Sequence, residues 1–221
     1  MYSNLYVLYS GQLRGHSFLR EQNTKIFKSI SHNQHYFYYL PPEDNINLGN
    51  ECNVLFEDEN IFEAVNNISN PNGISTYSVD IKLSEKNGYK QHCNLTSFKL
   101  QWLGVERCFK MAPKDENGLY IRCRPDLRIN VFDPKWLEVI KPNNIIIPKE
   151  HRFTCDKFAI GDYNTMSTYC DFINNINKCK DGNSESKLAE YFKYNNITVH
   201  KRDINTQLFN KDGNLRRDYL Y

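Results

Sequence analysis

An α/β fold with one central, mostly parallel mixed sheet flanked by helices is what the sequence predicts, and three observations predict it. Short apolar runs alternate with stretches of three- and four-residue periodicity, the pattern of strands separated by helices. The first run, Leu5–Tyr9, ends in a glycine turn before a helical stretch, which is the opening half of a βαβ unit. A later run, LYIRCRPDLRIN over residues 119–130, puts charges at the mouth of an apolar strand, where open α/β sheets bind ligands. At 221 residues and 26.1 kDa the chain is near the upper end for one compact domain, so a single domain over 1–221 is expected.

Each element follows in order. Leu5–Tyr9 leads into Ser10-Gly11-Gln12-Leu13-Arg14-Gly15, and a helix starts near Ser17. Gly11 and Gly15 let backbone come close to a ligand, the helix start offers free amides, and Arg14 adds a cation; a tight turn with a surface arginine is the plainer reading. His35–Leu40 is a second strand, stopped by Pro41-Pro42, and Val54–Phe56 a third, running into the acidic helix start Glu57-Asp58-Glu59. After the turn Asn70–Gly73, residues 74–83 read as extended and 84–91 as a polar loop. Leu95, Phe98, Trp102, Val105 and Phe109 form one face of a helix of about four turns, with Trp102 in the core. The helix feeds the strand Tyr120–Cys123. Pro134–Ile140 suggests a short helix, Asn144–Pro148 a buried strand, and Phe158–Gly161 a strand ending in glycine. Asp162 can cap the amphipathic stretch from Tyr163 to Ile176; Ser184 opens a helix through Lys193, and Ile197–His200 is a last short strand before a polar tail.

Composition narrows the function. A net charge of +2 and a pI near 8.1 lack the concentrated basic character of a nucleic-acid-binding protein, so no nucleic-acid partner is expected and any phosphate recognition should be local. The seven cysteines show no CxxC spacing and read as reduced thiols of a cytoplasmic protein. No signal-type leader is seen, and no apolar segment approaches the roughly 20 residues of a membrane span. The sequons at Asn67, Asn94 and Asn196 are read as chance in an asparagine-rich chain. Richness in asparagine, isoleucine and tyrosine suggests an AT-rich genome.

The charged strand mouth carries the sharpest chemistry. Ile121 and Cys123 alternate with Arg122 and Arg124, which predicts one apolar face and one bearing two guanidiniums. Pro125 keeps Arg124 extended, and Asp126 follows the strand end. Such charges resist burial unless they line a cleft, pair with each other or meet an oppositely charged ligand. A phosphorylated ligand would take arginine forks on its oxygens, with Asp126 on a divalent metal or sugar hydroxyl; an Arg–Asp pair that merely closes the strand end is equally open.

In order and spacing, YSGQLRG at Tyr9–Gly15, the helix with Gln101 and Trp102 feeding YIRCRPDLRIN, DKFAIGDYNTM at Asp156–Met166, and SESKLAEYF at Ser184–Phe192 followed by NNITVH resemble the small GT-A type nucleotide-sugar glycosyltransferases of bacterial capsule and lipopolysaccharide loci and of large DNA viruses. The resemblance spans most of the chain outside roughly residues 35–90. It implies a GT-A-like, Rossmann-like domain, with a nucleotide-sugar-binding half (1–130) and an acceptor-binding half (131–221). It also implies a hexosyl- or pentosyltransferase of polysaccharide biosynthesis that moves sugar from a nucleotide donor such as a UDP-sugar to a glycan or glycoprotein acceptor, with inversion. Arg124-Pro125-Asp126 occupies the place of the family's Asp-x-Asp motif, which holds Mn²⁺ or Mg²⁺ against the donor diphosphate. Arg124 replaces the first aspartate, so Arg122 and Arg124 are alternative counter-charges. Ser10, Gly11, Gln12 and Arg14 then resemble the donor-binding edge. Asp156 to Asp162 resembles the acceptor side, and Glu185 the general base, a role for which Asp156 and Asp162 compete. His200 resembles the C-terminal histidine that joins Asp126 in metal or diphosphate binding. At a helix N-terminus Glu185 suits the helix dipole whatever else it does, which is its plainer reading, and His200 reads equally as a satisfied strand-end histidine. Two rival functions are a sugar nucleotidyltransferase, which would want a lysine in the phosphate loop that Ser10–Gly15 lacks, and a non-catalytic nucleotide- or glycan-binding module.

Overall fold

The computed structural model describes residues 2–13, 16–41, 48, 52–57, 60–68, 95–149, 154–179, 184–210 and 214–215. The expectations for Arg14, Gly15 and residues 70–91 fall outside these. Strands are β1 (Asn4–Ser10), β2 (Gln34–Leu40), β3 (Cys52–Phe56), β4 (Gly118–Cys123), β5 (Leu127–Ile129), β6 (Asn144–Pro148), β7 (Phe158–Gly161), β8 (Thr198–Arg202) and β9 (Thr206–Leu208). Helices are α1 (His16–Ile30), α2 (Ile61–Asn67), α3 (Leu95–Met111), α4 (Tyr163–Cys170), α5 (Phe172–Asn175) and α6 (Ser184–Tyr194), with 3₁₀ turns at Pro134–Val139 and Ile176–Lys178.

The main sheet is mixed and seven-stranded, ordered β3-β2-β1-β4-β7-β6-β8. β3, β2, β1 and β4 run parallel, β6 and β8 pair in parallel, and β7 is antiparallel to both its neighbours. Strands from both halves of the chain thus meet in one sheet over one core cluster. A small antiparallel pair, β5-β9, sits beside it.

Helices cover both faces. Arg20 of α1 lies over the Tyr36 ring and Arg107 of α3 over the Tyr39 ring; residues three apart on a strand point to opposite faces, so α1 and α3 flank the sheet. All six residues of β4 are buried, as double coverage requires. The α3 stripe behaves as its period demands: Trp102 is fully buried and meets Phe172 and Tyr169 edge-on, with ring centroids 4.7 and 5.4 Å away. Gly104 lets α3 lie close to the sheet, since a Cβ there would stand 3.2 Å from the Tyr39 ring. The stripe predicted from Tyr163 to Ile176 is broken at Asp171 into α4, α5 and a 3₁₀ turn, yet Met166, Tyr169, Ile173 and Ile176 all remain buried.

Among the described residues no helix is long and apolar enough to cross a membrane, and no disulfide joins the described cysteines.

Candidate functional site

The register of β1 on β4, with Tyr9 opposite Cys123, brings the chain ends Ser10-Gly11 and Arg124-Pro125-Asp126 side by side at the carboxyl edge of the sheet. Gly11 has φ +114°, a left-handed backbone that favours glycine, and a Cβ there would reach within 3.9 Å of the Pro125 ring. Its amide donates to the Tyr39 carbonyl of β2 at 3.2 Å, which fixes the turn. Gln12 is exposed beyond it, and Ser10 is buried with no hydrogen-bond partner for its Oγ.

The two arginines of the strand mouth have different fates. Arg124 Nε and Nη2 donate to Asp126 Oδ1 and Oδ2, each at 2.8 Å, a bidentate pair in which Asp126 is only 2% exposed. The Phe209 amide donates to the Asp126 carbonyl, so the β5-β9 pair closes over this corner. Of the two openings the segment offered, the internal ion pair is the one formed here. Among the described residues Arg122 neither faces a cleft nor pairs with a carboxylate, two of the ways such a charge could be accommodated. It is 1% exposed, on the sheet face under α3 and α4, because both faces of β4 are covered. Its Nη1 donates to the Lys157 carbonyl, which also accepts the Arg124 amide, while its Nε and Nη2 have no partner. Nearby, burial pushes the Cys108 thiol up to about 12 and raises the Cys170 thiol and Tyr169 phenol, with the Arg122 charge pulling each back down. The Tyr169 hydroxyl is likewise buried and unpartnered.

Asp156 is the fixed carboxylate of this edge. Its Oδ2 accepts from Gln101 Nε2 at 3.1 Å and from Ser184 Oγ at 3.3 Å, and Trp102 Nε1 donates to the same Ser184 Oγ at 3.2 Å. Oδ1 has no partner among the described residues. The side chain is half-buried, so one oxygen is anchored while the other stays available to a hydroxyl. Glu185 follows Ser184 in the first turn of α6.

Two expected members stand apart. Asp162 lies at the other end of β7 from Asp156, about 20 Å away at roughly 3.3 Å per residue. There it caps α4 by accepting from the Thr165 amide at 2.7 Å, the plain role its sequence position allowed. His200 sits on β8 in register with Ile146, three strands from β4, or about 14 Å at roughly 4.8 Å per strand. Its Nε2 contacts Asn144 Oδ1 at 2.6 Å, and burial, then Arg202 and Lys141, push its pKa down.

Asp126 and His200 therefore do not come together as ligands of one ion. The Asp126 oxygens are held by a guanidinium, and among the described residues no three His, Cys, Asp or Glu side chains could hold a metal. The donor set does not fit the divalent ion expected from the Asp-x-Asp comparison.

Sequence reasoning passed over Gln101, Ser184 and Tyr169 as site residues. A polar Gln101 just before a core tryptophan was the available signal for one of them. Away from this edge, a groove of about 510 Å³ between α3, α4 and α6, lined by residues that include Glu106, Tyr163, Asp171 and Tyr191, contains none of the predicted residues.

Fold and edge together define an α/β protein in which, among the described residues, buried polar atoms without partners lie near the ends of the parallel strands. No protein-family model matches the chain, and no curated protein sequence matches it. Solved structures similar in chain path include mouse xyloside xylosyltransferase 1 in its apo form, with 9% identity and a TM-score of 0.38 over 91% of this chain and 84% of that one. A glycosyltransferase involved in glycosylation of the major capsid of PBCV-1 has 11% identity and a TM-score of 0.43, over 89% and 82%. Galactosyltransferase LgtC, in complex with donor and acceptor sugar analogs, has 4% identity and a TM-score of 0.44, over 86% and 70%.

Proposed function

We propose that the protein is a glycosyltransferase of GT-A type that moves a sugar from a nucleotide-sugar donor to a hydroxyl of a glycan or glycoprotein acceptor, with inversion. The observation that carries this reading is Asp156, anchored through Oδ2 by Gln101 and Ser184 and open at Oδ1, at the edge where Ser10, Gly11 and Arg122 lie. The motif resemblance between Tyr9 and His200 supplies the reaction class. In the reaction Asp156 Oδ1 takes the proton of the acceptor hydroxyl as its oxygen bonds to the anomeric carbon. The bond from that carbon to the diphosphate oxygen breaks at the same time, and the nucleoside diphosphate leaves with the electron pair. Gly11 gives the backbone of the first turn room to approach the donor, and Glu185 lines the acceptor side.

Incubation with a panel of nucleotide sugars, followed by chromatography of the released nucleoside diphosphate, tests this. At least one donor should be hydrolysed slowly without acceptor and faster with a suitable glycan. Failure of every donor to bind or turn over contradicts it.

A further inference from the structure

We infer that this edge balances the charge of the donor diphosphate with the desolvated guanidinium of Arg122 and binds the nucleotide without a divalent metal. The inference rests on the functional reading above and concerns how its leaving group is held.

Three observations lead to it. Arg124 and Arg122, two residues apart, present the same chemical edge, Nε and Nη2. In Arg124 that edge is filled by the two oxygens of Asp126, and in Arg122 it is vacant. Arg122 is also buried to 1% exposure with no acidic group paired to it, so its charge is neither neutralised by a neighbour nor screened by solvent as a surface cation would be. A metal bridging Asp126 to a diphosphate would have to displace Arg124 from a bidentate pair whose carboxylate is buried, and it would find His200 three strands away and already bonded to Asn144.

The hydrogen bond from Nη1 to the Lys157 carbonyl holds the Arg122 head at the carboxyl edge, one residue from Asp156. From there its field favours the pyrophosphate in the ground state and more so as negative charge builds on the departing oxygen. The buried Ser10 and Tyr169 hydroxyls on the same side of the sheet have unspent hydrogen-bonding capacity, which suits them to an anionic neighbour.

Calorimetric titration of the full chain with uridine, guanosine and cytidine diphosphates, once in excess EDTA and once in excess MnCl₂, tests the inference on the unmodified protein. The tightest binder should have Kd values within about threefold of each other in the two buffers. The EPR signal of free Mn²⁺ should keep its amplitude when protein and nucleotide are added. Arg122→Met should weaken binding in EDTA by about tenfold or more, and Arg122→Lys should recover part of that loss, which loss of packing alone would not explain. Tightening by more than about tenfold in MnCl₂, or loss of the free-ion signal, overturns the inference even if Arg122→Met does not fold. Binding in neither buffer overturns the functional reading itself, and the inference with it.

Discussion

The two edges of the central sheet are built from similar residues and behave differently. At the amino edge, Asp115 accepts from Asn4 Nδ2 at 2.7 Å, from the Tyr6 hydroxyl at 3.0 Å and from the Asn117 amide at 2.9 Å. The Tyr120 hydroxyl donates to the Pro113 carbonyl at 2.6 Å and accepts from the Asp115 amide at 2.9 Å. These bonds, led by that from Asn4, hold the Asp115 carboxyl below its ordinary range, and burial, with Asp115 beside it, pushes Tyr6 up to about 12. At the carboxyl edge Asp156 has one unpaired oxygen, Arg122 a vacant guanidinium edge, and Ser10 and Tyr169 unpartnered hydroxyls. A satisfied polar cluster stabilises a fold, whereas an unsatisfied one is costly unless something else completes it. On the function proposed above, the contrast separates a structural end from a working end in a chain whose overall charge says little about either.

The largest effect that sharpens this contrast is expected from Asp156→Asn. It keeps the shape and the Gln101 and Ser184 contacts but removes the base, so donor turnover should fall by about 10²–10⁴-fold while nucleotide binding changes little; equal losses in both would mean the residue only holds the fold. Ser184→Ala comes next. It frees Asp156 Oδ2 from one donor and leaves the Trp102 indole unpaired, so kcat should drop by about tenfold with KM nearly constant, as steady-state kinetics would show. The matching change at the other end, Asp115→Ala, should cost about 1–2 kcal/mol in urea unfolding and leave kcat of the folded enzyme unchanged. The wild-type contribution of that carboxylate should be fully present above its ordinary pKa of 3.8 and be lost as pH falls through its lower folded value.

Much of this architecture was legible in the sequence because it rests on local periodicity. The helix from Leu95, the buried Asn144–Pro148 strand and the glycine turn after Tyr9 all follow from patterns spanning a few residues. The site was less legible, for reasons that are not local. Alternation in Tyr120–Cys123 shows which residues share a face but not whether that face is covered, and α3 covers the Arg122 side. Nothing in Asp156–Asp162 announces that its strand runs antiparallel to its neighbours, which sends the two aspartates to opposite edges. The pairing of Thr206–Leu208 with Leu127–Ile129 joins segments about 80 residues apart in three-residue strands too short for any periodic signal. The RPD segment offered an internal pair or a ligand site, and only the fold shows that Arg124 takes the first course while Arg122 is buried with two nitrogens unpartnered.

The smallest expected effect lies outside both edges. His200 is held below its ordinary pKa of 6.5 chiefly by burial, so the unfolded chain binds the extra proton more readily. Stability from this residue is therefore present above pH 6.5 and declines as pH falls through the folded value. A melting series from neutral to mildly acid pH should show His200→Asn losing about 1–2 °C less than wild type. An equal loss in both would assign the acid sensitivity elsewhere.

Hydrogen–deuterium exchange with and without the tightest-binding nucleoside diphosphate tests the working edge most directly. Protection should appear in the peptides covering residues 10–13, 122–126 and 156–157, with no change at 113–118. Protection confined to the amino edge, or to the α3–α4–α6 groove, would contradict the assignment of the carboxyl edge as the donor site.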